Sequence, residues 1–163
     1  MGKFISGPIV LMKLGLAPAS AIFYLINISI TGNGKFSGSI LGPNNKVYFV
    51  PFTRNAIGVL DIANETYSEI DISDHVVGES KYSGGVLASN GKIYFVPYNT
   101  TDIGVFDPWS GRFSTIEIPE VSSASAIRSQ TYGGGVLGPH GIIYLVPRNA
   151  NNIGVFKPPT NIQ

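Results

Sequence analysis

Apolar and polar residues alternate in short runs along this chain. Clusters of Gly, Pro, Asn and Asp separate the runs, and that pattern predicts strands joined by turns rather than helices. Residues 82–88 (YSGGVLA) predict a first strand, and the following SNG carries the Asn-Gly pair of a tight hairpin turn. Residues 92–97 (KIYFVP), rich in β-branched and aromatic side chains, predict a second. A polar loop, YNTTD, leads to a third strand at residues 103–107 (IGVFD). PWSG forms a turn, and residues 112–118 (RFSTIEI) alternate with period two as a fourth strand.

This unit is written three times. With Phe36, Tyr82 and Tyr132 aligned, the next 26 positions match without a gap, with 13 identities between the first two copies and 15 between the second and third. The offsets are 46 and 50 residues, and the extra four precede Tyr132, where a loop would absorb them. Four short strands in a unit of this length predict a propeller blade. The fold class expected is all-β: three four-stranded antiparallel repeats starting near 36, 82 and 132, the third lacking its last strand. Residues 22–30 (IFYLINISI) are expected to add a closing strand to a propeller region spanning 22–163. Pro51, Pro97 and Pro147 end the second strands, where a missing N–H harms the ladder least. Gly58, Gly104 and Gly154 lie inside the third strands and predict a bulge or a close backbone approach. Gly38, Gly84 and Gly134 lie in the first, innermost strands, where blades converge.

The consensus GGVL-x-x-x-G-x-I-Y-x-V-P-x-N-x-x-x-I-G-V-F-D-P-x-x-G-x-F resembles the blades of virginiamycin B lyase-like and related NHL and YncE-type β-propellers over residues 36–157. The lyase activity which that resemblance implies needs His and Glu side chains with a divalent metal at the channel mouth. The chain holds only His75 and His140 and no His-x-Glu, so the activity is not carried over. No catalytic residue, metal site or cofactor is expected.

Propellers usually contain four to eight blades. Two open blade faces would each leave about five apolar side chains unburied, forgoing about 10 kcal/mol or more against a domain stability of about 5–15 kcal/mol. The expectation is therefore a partial propeller. It would be completed head to tail by a second copy, as half of an oligomeric ring, or by the remaining blades of a longer propeller; a filament subunit is a further option.

Charged residues are only 13% of the chain and the net charge is +1, which excludes the basic footprint of a nucleic-acid binder. There is no Cys, which excludes disulfides and thiolate chemistry. Residues 1–21 combine a basic start, an apolar stretch and small residues at Ala17, Ala19 and Ala21, as in a secretory signal. The alternatives are a leader that packs as strand and loop, or a start foreign to the fold. Any membrane contact would run through this segment, and an extracytoplasmic location is favoured. Asn27, Asn64 and Asn99 sit in N-x-[ST] sequons.

GGGVLG (residues 133–138) satisfies G-x-G-x-x-G, but it aligns with a first strand and no helix pattern follows, so it is not a nucleotide loop. His140 replaces the Asn of the hairpin turn, and His75 sits in a solvated loop beside Asp71 and Asp74. Trp109 is expected to cover a blade edge on the opposite rim. The loops between second and third strands vary while their flanks agree, which makes them the candidate binding surface. Arg54, Asn55, Tyr98, Asn99, Asp102, Arg148, Asn149 and Asn152 would ring one channel mouth, suited to a protein or a polar glycan. The expected function is a non-enzymatic binding or assembly module. The rival is a metal-dependent propeller lyase or lactonase.

Overall fold

The computed structural model describes residues 21–118 and 130–160. Residues 1–20, with the expected signal or leader, lie outside the described residues, as does the segment holding the four-residue insertion.

Three antiparallel sheets follow one another, each built in chain order. The first comprises β1 (Phe36–Leu41), β2 (Lys46–Pro51), β3 (Ala56–Asp61) and β4 (Thr66–Asp71). The second comprises β5 (Tyr82–Leu87), β6 (Ile93–Pro97), β7 (Asp102–Asp107) and β8 (Arg112–Glu117). The third has β9 (Tyr132–Leu137), β10 (Ile143–Pro147) and β11 (Gly154–Phe156), three strands among the described residues. This is the expected all-β, unclosed set of propeller blades.

Register repeats with sequence. In each sheet the ladder between first and second strands slips at one place: Phe36/Ser39, Tyr82/Gly85, and the equivalent Tyr132/Gly135 step opposite Leu145/Pro147. The bulge therefore belongs to the first strand. Gly58, Gly104 and Gly154 pair in register with Phe49, Phe95 and Leu145, so they mark a close approach instead. A Cβ on Gly104 would stand 3.0 Å from Cζ of Tyr82 and 3.1 Å from ring carbons of Phe113 and Phe95. The glycine is the floor on which the first-strand aromatic lies.

Alternation of side chains gives each sheet two apolar faces, which pack sheet on sheet. At the first junction, Tyr48, Val50, Ile57 and Val59 meet Tyr82, Ile93, Phe95, Phe106 and Phe113. At the second, Val86, Tyr94, Val96, Ile103 and Val105 meet Tyr132, Ile143 and Leu145. The inner strands also converge: a Cβ on Gly38 would lie 3.7 Å from Cα of Gly84, and one on Gly84 would lie 3.6 Å from Cα of Gly134.

The two end faces differ. The outer face of the third sheet leaves Val136, Val146, Ile153 and Val155 between 53% and 64% exposed. The outer face of the first sheet carries Phe36, Phe49, Leu60 and Tyr67, and Ile26 and Ile28 line a shallow cavity together with them. Residues 22–30 thus form no strand, contrary to the sequence expectation. Their apolar side chains are spent on a sheet face rather than their backbone on a sheet edge. The hold is light: Phe23 and Leu25 remain 88% and 74% exposed, and the Tyr24 hydroxyl donates to Glu65 at 2.8 Å.

Candidate functional site

The rim that carries the β2–β3 and β6–β7 loops is organised by Lys81, which immediately precedes β5 and is 1% exposed. Its ammonium donates to the carbonyls of Gly78 (2.8 Å) and Phe52 (3.0 Å) and to Oδ1 of Asn55 (3.1 Å). Its backbone N–H also donates to Phe52 O. Burial holds the ammonium pKa below its ordinary value, partly offset by Glu79. Asn55 is thus a bond between blades, and Asn99 is another: its Oδ1 accepts the Gln130 N–H at 2.8 Å.

The residue after each strand-ending proline forms a stack along the rim. Tyr98 meets Phe52 edge-on at 5.4 Å, and the Arg148 guanidinium lies 5.3 Å from the Tyr98 ring centre, within cation–π range. The Arg148 Nε–H also donates to Gln130 at 3.2 Å, and the Asn149 N–H donates to Gln130 O.

The remaining rim candidates are tied locally. Arg54 forms a two-pronged pair with Glu69 at 2.6 and 2.7 Å. Asn152 accepts from the Tyr132 hydroxyl at 3.3 Å. Asp102 opens β7 opposite Glu117, and the Thr101 hydroxyl stands 3.5 Å from its carboxylate. The structure therefore brings Tyr98 and Arg148 together and commits Arg54 and Asn152 elsewhere. Sequence reasoning missed Lys81 and Phe52. Their signal was positional: Lys81 aligns with Lys35, and Phe52 with Tyr98 and Arg148.

The Arg54 bond holds the Glu69 carboxyl below its ordinary 4.5 against the cost of burial, with a further bond from Tyr67. A depressed folded pKa adds stability above the unfolded value, and that stability is lost as pH falls through the folded value. Glu69→Gln is expected to cost about 1 kcal/mol at neutral pH. In urea titrations the gap from the unsubstituted chain should narrow below about pH 4; a pH-independent gap would contradict it.

Asn27, Asn64 and Asn99 are all exposed. His140 has φ 60°, the left-handed turn geometry expected of it, within the 3-10 turn Pro139–Gly141. The His75 ring lies edge-on to Phe113 at 5.5 Å. Trp109 does not cover a blade edge: it is 71% exposed, in a turn closed by Asp107 Oδ1 accepting the Trp109 and Ser110 N–H groups. Residues 133–138 lead from β9 into that 3-10 turn, with no α-helix after them among the described residues. Among the described residues, no three His, Cys, Asp or Glu stand close enough to hold a metal ion. Nor, among them, is any helix long and apolar enough to cross a membrane.

No protein-family model and no curated protein matches the chain. Solved structures do. A catalytically inactive virginiamycin B lyase from Staphylococcus aureus, determined with quinupristin, aligns with a TM-score of 0.56 at 21% identity over 80% of this chain and 44% of that one. A streptogramin B lyase aligns with a TM-score of 0.56 at 20% identity over 81% and 44%. An auxiliary nutrient binding protein from Bacteroides ovatus aligns with a TM-score of 0.53 at 19% identity over 77% and 29%. The chain therefore spans less than half the length of each. At these identities the likeness establishes fold, and with three successive antiparallel sheets in repeated register the chain is a partial β-propeller of the kind seen in virginiamycin B lyase.

Proposed function

We propose that the chain is a non-enzymatic assembly and binding module, which completes a propeller through its blade faces and offers the rim loops to a protein or polar ligand. The observation that carries this reading is the outer face of the third sheet. Val136, Val146, Ile153 and Val155 form one exposed apolar surface. Their counterparts Val86, Val96, Ile103 and Val105 are buried at the junction one blade earlier. A contiguous apolar face of this kind marks an interaction surface. An extracytoplasmic setting accords with the basic, apolar start of the sequence, which reads as a candidate signal.

Sedimentation velocity over a concentration series tests the reading. The expected result is a folded species at a multiple of 17.4 kDa whose share grows with concentration. A folded chain that stays at 17.4 kDa throughout would refute it.

A further inference from the structure

We infer that the outer face of the third sheet docks on the outer face of the first sheet of a second copy, in the same register that joins the blades within one chain. This inference rests on the assembly reading above and adds the partner and its alignment.

The two internal junctions define what a junction contains, and the two end faces carry most of the two halves of a third. The serine bond of the internal junctions (Ser37 to Tyr82 O, Ser83 to Tyr132 O) has Gly133 at the matching end position and is not reproduced. At both internal junctions the N–H before the first strand donates to the carbonyl of the residue after the preceding blade's proline. Lys81 donates to Phe52 at 3.0 Å and Thr131 to Tyr98 at 2.9 Å. The next members of these series are Lys35 as donor and Arg148 as acceptor.

The side chains match as well. Lys81 reaches Asn55 across the first junction. At the second junction these positions hold Thr131 and Thr101, but at the ends they again hold a lysine and an asparagine, Lys35 and Asn151. Asn151 is exposed and Lys35 half-buried. In a chain with so few charges, the return of this pair on opposite end faces is a complementarity that a neighbouring copy satisfies.

The rim stack and the inner strands extend in the same way. Arg148 already lies over Tyr98 on one side. In the docked copy its other side meets Phe52, so the guanidinium sits between two rings. Gly134 has nothing within 4 Å of where a Cβ would be, whereas Gly38 and Gly84 each meet the glycine of the next blade. Gly38 of the second copy takes that space. Val136, Val146 and Val155 then cover Phe36, Phe49 and Leu60, the counterparts of Tyr82, Phe95 and Phe106, which are 0% exposed where they are already covered. Residues 22–30 give way. Two chains supply six sheets, within the four to eight that close a propeller.

Such a contact joins unlike faces, so each face can be blocked separately. Leu41→Asp marks the first-sheet face and Val155→Asp the third-sheet face; both side chains are mostly exposed, at 57% and 64%, so folding is spared. Each variant alone is expected to be a folded monomer by sedimentation and circular dichroism. An equimolar mixture should form a dimer and nothing larger, through the intact third sheet of the Leu41→Asp chain and the intact first sheet of the Val155→Asp chain. Adding Asn151→Asp to the Leu41→Asp chain should tighten that dimer about fivefold at low salt, because Lys35 gains a charged acceptor. Lys35→Met in the Val155→Asp chain should abolish the gain. If the Leu41→Asp variant dimerises alone, the contact joins like faces, and the inference fails while the assembly reading stands. Tightening that persists with Lys35→Met overturns the register. An unsubstituted chain that never associates overturns both readings.

Discussion

Phe95→Ala is expected to unfold most of the chain at moderate urea concentrations. Phe95 is 0% exposed between the first and second sheets, 5.7 Å from the Tyr82 ring and 6.2 Å from Phe113, with which it stacks. Truncating a buried phenylalanine costs about 3–5 kcal/mol, the transfer loss plus the cavity left behind. That rivals the whole stability of a small domain, about 5–15 kcal/mol, and this chain has two end faces that bury little. The site collapses poorly, because its walls are aromatic rings on sheets pinned by ladders. Far-UV circular dichroism is the proper readout, since exposed Trp109 reports little of the core. Phe95→Leu, which keeps most of the volume, should lose about 1–2 kcal/mol. Equal urea midpoints for Phe95→Ala and the unsubstituted chain would show that the sheets do not meet at this ring.

Gly104→Val sets two physical effects against each other. Valine suits a strand better than glycine, a gain of about 1 kcal/mol. Packing opposes it. Even the Cβ would stand 3.0–3.1 Å from the rings of Tyr82, Phe113 and Phe95, and the two methyl groups extend further. All three rings are 8% exposed or less, so none can swing into solvent. Overpacking of this sort costs about 1–3 kcal/mol, and more where several rings must shift. The net expectation is destabilisation by about 2 kcal/mol, read as a lower urea midpoint. A raised midpoint would mean that the first-strand tyrosine does not rest on this glycine.

The blades were legible because their information is local and repeated. Hairpin turns, strand-ending prolines and period-two alternation recur at one offset, so a wrong register in one copy would have disagreed with the others. The three described strands of the third sheet match the three strand patterns of the third repeat. The rim was not legible in the same way. Asn55 finds Lys81 at 26 residues' separation and Asn99 finds Gln130 at 31, each across a junction. Aligning repeats shows which residues are equivalent, not which are neighbours, so Asn55 and Asn99 read as free loop amides. Arg54 misled for a related reason: its partner Glu69 sits two strands later, where blade two has Thr115. Residues 22–30 read as a strand because apolar composition alone does not distinguish covering a sheet face from extending a sheet edge.

In the proposed assembly, that segment would govern when copies meet. Being covalently attached, residues 22–30 compete for the first sheet's outer face at an effective concentration of about millimolar, which dilution of the protein does not lower. A second copy docking as proposed would arrive at its bulk concentration and would have to overcome that fixed rival. Apparent affinity is therefore the intrinsic face-to-face affinity divided by the occupancy penalty of the tether. Whatever draws residues 22–30 aside, such as a binding partner or a surface that takes up Phe23 and Leu25, would raise association without altering one contact residue in the junction. The segment would make the proposed assembly conditional on where residues 22–30 are held.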